Sequence, residues 1–256
     1  MRCYALGTAT RGAEIVQCFC EGVNGQFVRH ATSDYEGGDI VVWGLLRGGR
    51  ELRRKCAEAG NTYYAIDHAY IGRERYFRIT RSGFQQTEVF ERLPDRWSAL
   101  SARYGIDVKP WKQAGRYVLL ALSSHMNDEY FGVTGWEGMI TQQLRMYTDR
   151  KIVVRPKGCH DRLQDQLKEA WCVVTHTSMV AVDAVLAGVP VFVTGPSIAR
   201  PMGLTDLSKI ESPVYPERRQ WMNSLAYAQF DTRDMKAGKV KPWLDEFPVR
   251  YDHYGY

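Results

Sequence analysis

The sequence predicts an α/β protein of two Rossmann-like lobes, each a parallel sheet with flanking helices, and a C-terminal helix crossing between the lobes. Three observations predict it. From Tyr117 to Thr194, short apolar runs alternate with helical stretches in a βαβαβαβ order. Between Asp39 and Asp67, strand, helix and strand follow one another with short connections, as in a right-handed parallel crossover. The 256 residues, 45% apolar and 25% charged, suffice for two small cores and match globular averages.

Each element has its own signal. Ile15 to Cys20 is apolar and reads as a strand, and Asp39 to Gly44 as a second, β-branched one. Arg50 to Ala59 reads as a helix closed by Gly60, and Thr62 to Ile66 as a strand ending at Asp67-His68. Arg78 to Thr80 is a further short strand, and residues 92–116, with two prolines and two glycines, read as a linker. In the second half, strands are predicted at Tyr117–Leu122, Lys151–Pro156, Trp171–Thr175 and Pro190–Thr194. Helices are predicted at Trp136–Asp149, Asp161–Ala170 and Ser178–Ala187, and a polar loop at Ser123–Asp128. The tail is helical and aromatic-rich around Trp221, Met235 and Trp243, with residues 251–256 loosely held. The expected division is 1–115, 116–215 and a helical segment 216–256.

Composition narrows the function classes. A net charge of +5 favours anionic ligands without demanding nucleic acid. The six cysteines form no CxxC pair, and Cys18, Cys20 and Cys172 sit in apolar stretches and read as buried thiols of a reducing compartment. A zinc site from Cys18, Cys20 and His30 would match no familiar ligand spacing. With neither a signal-peptide pattern nor an apolar run near 20 residues, the chain is expected to be cytoplasmic, without a membrane span. A P-loop, a GxSxG elbow and a GxGxxG fingerprint after the first strand are all missing from the sequence, as is a DxD metal motif.

In an open parallel sheet, ligands bind outside the carboxyl ends of the strands, so the chemistry is expected at those ends. The richest is Thr175-His176-Thr177-Ser178, which leads from a strand into a helix whose one charged residue is Asp183, before Ala187-Gly188-Val189-Pro190-Val191. Thr177 or Ser178 is placed to cap the helix and meet a phosphate, and Asp183 to accept hydrogen bonds from a ribose diol. A capped core helix with Asp183 at its edge is the plainer alternative. Arg155-Pro156-Lys157, Ser123-Ser124-His125 and Thr194-Gly195-Pro196 end the other strands. Arg suits bidentate phosphate contact, and Gly195 permits close backbone approach.

This set of strand ends resembles the C-terminal half of GT-B glycosyltransferases acting on capsule, lipopolysaccharide core and related glycans, and the epimerases that share their fold. The resemblance covers roughly residues 117–205. It implies that Thr177 and Ser178 meet the donor diphosphate, that Asp183 (usually Glu in the family) holds the ribose, and that Arg155 and Lys157 face the phosphates. Ser123, Ser124, His125 and Gly195 would approach the same group. The donor is then a nucleotide sugar, with a UDP-sugar expected, no tightly bound cofactor and no metal requirement. The stretch from Trp221 to Gln229 is similar to a segment of phage and bacterial glycosyltransferases.

The N-terminal lobe would then bind the acceptor and supply a base. Asp67, with His68 second, ends a predicted strand and is the candidate; capping of the next turn is the alternative. Arg47, Arg50, Arg53, Arg54 and Lys55 form one basic group, which a solvated helix face explains equally well. Arg73, Arg75, Arg78 and Arg81, interleaved with aromatics, form another that suits a phosphate-bearing acceptor if they line one strand face. Short length and basic charge fit a bacteriophage enzyme that modifies hydroxymethylated pyrimidines in double-stranded DNA, in which case the host cytoplasm is its location. A surface-glycan transferase, a sugar-nucleotide epimerase and a non-catalytic nucleotide-binding protein are the alternatives.

Overall fold

A computed structural model describes residues 1–6, 10–31, 34–44 and 49–246; at Thr10, His30 and Ala31 only the backbone is described. The Arg47 position, the His30 side chain and the tail 251–256 therefore lie outside the described residues. In chain order the elements are β1 (Arg2–Leu6), α1 (Thr10–Gly22), β2 (Gln26–Ala31), β3 (Ile40–Trp43), α2 (Gly49–Glu58), β4 (Tyr63–His68), β5 (Tyr76–Arg81) and α3 (Asp95–Tyr104). There follow β6 (Tyr117–Ala121), α4 (His125–Tyr130), α5 (Trp136–Leu144), β7 (Lys151–Arg155), α6 (Leu163–Glu169), β8 (Ala170–Thr175), α7 (Val180–Leu186) and β9 (Val191–Val193). Last come β10 (Gly203–Leu204), α8 (Arg219–Tyr227), β11 (Gln229–Asp231), α9 (Thr232–Lys236) and α10 (Val240–Glu246).

The chain divides into two units, each with its own sheet. Among the described residues the first holds 1–86 and 225–246, and the second 87–224.

The first unit's sheet runs β11-β5-β4-β3-β1-β2. Its strands β2, β1, β3 and β4 are parallel, whereas β5 is antiparallel to β4 and β11 antiparallel to β5. The predicted Ile15–Cys20 strand is instead the middle of α1. Gly12, Ile15, Val16, Phe19 and Cys20 are buried while Arg11, Glu14, Gln17 and Glu21 are exposed, a stripe of period 3.6 rather than 2. Cys18 and Cys20 are thus two apart on a helix and point in different directions. The tail completes this unit. Phe230, Met235, Val240 and Leu244 join Ile15, Phe19, Tyr64 and Ile79 in one buried cluster.

The second unit's sheet is wholly parallel, in the order β10-β9-β8-β6-β7. Every residue of the central β8 is buried, as a strand covered on both faces must be. At the edge, β7 leaves Val154 exposed at 38%. The buried residues Val118, Leu120, Trp136, Ile140, Leu144, Val174 and Phe192 form its core. Gly188 closes α7 at φ +74°, and a Cβ there would lie 2.0 Å from the Pro110 carbonyl oxygen, so this turn needs glycine on both counts. The stretch predicted as a linker holds α3, stopped by Gly105 in the left-handed conformation. Among the described residues, no helix is long and apolar enough to cross a membrane.

Candidate functional site

The strand order of the second unit brings the ends of β6, β8 and β9 side by side. Side-chain bonds then join the loops that follow them. After β6, Ser123 is buried, and its Oγ lies 2.9 Å from Thr177 Oγ1. It also accepts the Thr177 backbone N–H at 3.2 Å. Ser124 caps α4 by accepting the Asn127 N–H. That places Asn127 Nδ2 3.4 Å from Thr177 Oγ1, while Asn127 Oδ1 is buried without a hydrogen-bond partner among the described residues. The neighbouring Asp128 also has one buried oxygen without a partner among the described residues, and burial raises its pKa.

After β8, Thr175 Oγ1 donates to the Ala121 carbonyl at 2.6 Å and accepts the Ser178 N–H at 3.2 Å, so the turn is stitched to β6. Ser178 Oγ accepts the Val180 N–H at 3.4 Å. The residue at the cap position of α7 is Met179, which forms no side-chain cap bond, in place of the predicted Thr177 or Ser178. Asp183 is the fourth residue of α7 and half-buried.

His176 lies among these hydroxyls. It is 5% exposed, and burial pushes its pKa down to about 4, leaving it neutral near pH 7. Its Nδ1 is 3.1 Å from Thr194 Oγ1, which in turn accepts the indole N–H of Trp136 at 3.0 Å. Phe131 stands edge-on at 5.4 Å between centroids. Gly195 packs on the imidazole: a Cβ there would sit 2.5 Å from its Cε1. Here glycine accommodates a ring of the protein itself.

The remaining expected donor residues are placed differently. Arg155 lies in β7 opposite Ala121, and its guanidinium donates to the Asp161 carbonyl and the Gln166 side chain, both beyond β7. Lys157 is exposed. His125 opens α4 with its side chain 76% exposed and 3.6 Å from Glu129.

In the first unit, Asp67 and His68 end β4 as expected. One Asp67 oxygen accepts from Arg78 at 2.7 Å and the other from the His68 backbone N–H at 2.7 Å. The His68 ring is exposed and edge-on to Trp43 at 5.5 Å. The four arginines do not share one strand face. Only Arg78 and Arg81 lie in β5, and three residues apart they point to opposite faces. Arg78 is 5% exposed, held by Asp67 and lying over the Phe84 ring. Arg75 pairs with Asp231 at 3.2 Å and Arg81 with Asp245 at 3.3 Å. Arg73 is exposed, its Nε donating to the Ala69 carbonyl.

No protein-family model matches the chain, and no curated protein sequence matches it. Among solved structures it is similar to the KpsC beta Kdo 2,7 transferase of Thermosulfurimonas dismutans. That match has a TM-score of 0.57 at 12% identity and covers 92% of this chain and 98% of the other. It is also similar to the beta Kdo 2,4 transferase of the same organism's KpsC, with a TM-score of 0.50 at 12% identity over 88% and 89%. The shared feature is the fold: two units of largely parallel sheet with flanking helices, the GT-B-like class predicted from the sequence. Sequence reasoning singled out Thr177 and Ser178 but passed over His176, Asn127 and Trp136. An unmet hydrogen bond is a property of packing, and residue type alone carries no signal of it.

Proposed function

We propose that the chain is a glycosyltransferase that moves a sugar from a nucleotide-activated donor, held at the β6–β8–β9 edge of the second unit, to a hydroxyl of a surface glycan. The observation that carries the reading is the joining of Ser123, Asn127, His176, Thr177, Thr194 and Gly195 at the carboxyl edge of a parallel sheet. The fold likeness to two Kdo transferases supports it. In the reaction the acceptor oxygen attacks the anomeric carbon, and the bond from that carbon to the donor phosphate breaks. The electron pair leaves on the phosphate, and the acceptor proton passes to a base. Neutral donors fixed in a dry site would stabilise the departing anion without reorganising.

His68 is the better-placed base of the two candidates, because its ring is exposed whereas both Asp67 oxygens already accept hydrogen bonds. Arg155 would contact a phosphate by exchanging its present carbonyl and amide partners for the ligand, and Lys157 is exposed to meet one. A glycan is preferred to DNA as acceptor. Of the arginines that suggested a phosphate backbone, three are ion-paired and one of these, Arg78, is also buried.

The test is mass spectrometry of acceptors after incubation with UDP-, GDP- and CMP-activated sugars. A mass gain of one sugar on saccharide acceptors is expected. A gain on hydroxymethylated duplex DNA alone would replace the acceptor, and an altered sugar nucleotide without any acceptor would replace transfer by epimerisation.

A further inference from the structure

The buried imidazole of His176 has one nitrogen whose hydrogen-bonding need is unmet. Its Nε2 is shielded from solvent and has no hydrogen-bond partner among the described residues, although the residue is 5% exposed. Leaving a buried polar atom unsatisfied is destabilising, so the arrangement calls for a purpose.

The neighbours of the ring support one of its two neutral forms. Thr194 Oγ1 accepts the Trp136 indole N–H, which can only donate. Thr194 Oγ1 keeps its own hydroxyl proton, which it can give to His176 Nδ1, 3.1 Å away, in a chain where each bond polarises the next. A neutral imidazole that accepts at Nδ1 carries its proton on Nε2. Burial keeps the ring neutral, and Gly195 leaves space for it where any side chain would collide. In that form the ring presents an uncharged N–H at the end of β8, in the same turn as Thr177.

We propose that His176 is a donor-binding residue whose Nε2–H is held for a phosphate oxygen of the nucleotide, with Trp136 and Thr194 as positioning residues that fix the tautomer. This rests on reading the β6–β8–β9 edge as the nucleotide site. An oxygen reaches Nε2 only as a neighbouring side chain turns aside, and half-buried Phe131, edge-on to the ring, is one such neighbour. The bond strengthens as negative charge grows on the leaving phosphate, so His176 contributes to turnover as well as to binding.

The test uses the full chain with ¹⁵N-labelled histidine. The His176 signal is assigned by its loss in His176→Gln, and UDP, GDP, CMP and inorganic phosphate are titrated in turn. The proposal expects the Nε2 resonance to shift on saturation with at least one nucleotide. It expects His176→Phe to weaken that nucleotide's binding about tenfold or more and His176→Gln, whose amide can donate from the place of Nε2, to restore most of it. Thr194→Val, which frees the tautomer, should lower kcat more than it raises KM. An unmoved Nε2 resonance in the saturated wild-type protein overturns the proposal whether or not any variant folds. If sugar transfer proceeds but is indifferent to His176, this inference alone fails. If the wild-type protein binds none of the nucleotides, the proposed function fails with it.

Discussion

Burial takes His176 from an ordinary value of 6.5 down to about 4, and this ties stability to pH. A histidine with a depressed folded value favours folding while neutral. Its contribution is complete above pH 6.5 and is lost as pH falls through about 4. The shift corresponds to about 3 kcal/mol. Denaturant unfolding at pH 7 and pH 4 should therefore show wild-type stability falling by about that much more than that of His176→Phe. Equal losses in the two proteins would mean that the ring is solvated. The stretch Thr175–Ser178 was legible in the sequence as a candidate site, but its hydroxyls drew the attention. That His176 carries the unmet bond depends on Thr194, 18 residues on, and on Trp136, neither of which its local sequence reveals.

Among the elements, the β4–β5 pair shows how one contact bears on both fold and function. Asp67 and Arg78 face each other across the antiparallel ladder and form an ion pair in which the arginine side chain is 6% exposed. Removing one partner of such a pair strands a buried charge. Asp67→Asn should lower stability by about 2–3 kcal/mol, and thermal unfolding checks this. Any loss of activity in that variant must be read after the stability loss, and His68→Gln is the cleaner test of a base. A stability unchanged in Asp67→Asn would show that Arg78 has other support. Strands and helices with a single clear period, such as β6, β8 and α2, were legible from the sequence. Helix α1 was not, because Ile15, Val16 and Phe19 have strand-like residue types and only the placement of Glu14, Gln17 and Glu21 betrays the helical period. The short polar run Ser123–Asp128 read as a loop because a helix of six residues has little pattern to show.

At the scale of the whole molecule, the second unit is continuous from 87 to 224 and was legible as a run of βα repeats, whereas the first is completed by chain from the far end. No local signal in residues 1–86 announces that β11 will pair with β5, or that Phe230, Met235, Val240 and Leu244 will fill its core. Ending the chain at Ser224 should expose that cluster and the edge of β5, so the first unit should lose its cooperative unfolding transition while the second keeps its own. Two intact transitions in the shortened chain would contradict this assignment of the tail. The claim that matters most is that the second unit holds the activated sugar, and hydrogen exchange of the full chain with and without a saturating nucleotide sugar tests it directly. Protection of backbone amides within residues 122–128, 176–180 and 194–199, where the loops after β6, β8 and β9 lie, is the expected result. Protection confined to the first unit, or none with any donor, would contradict it.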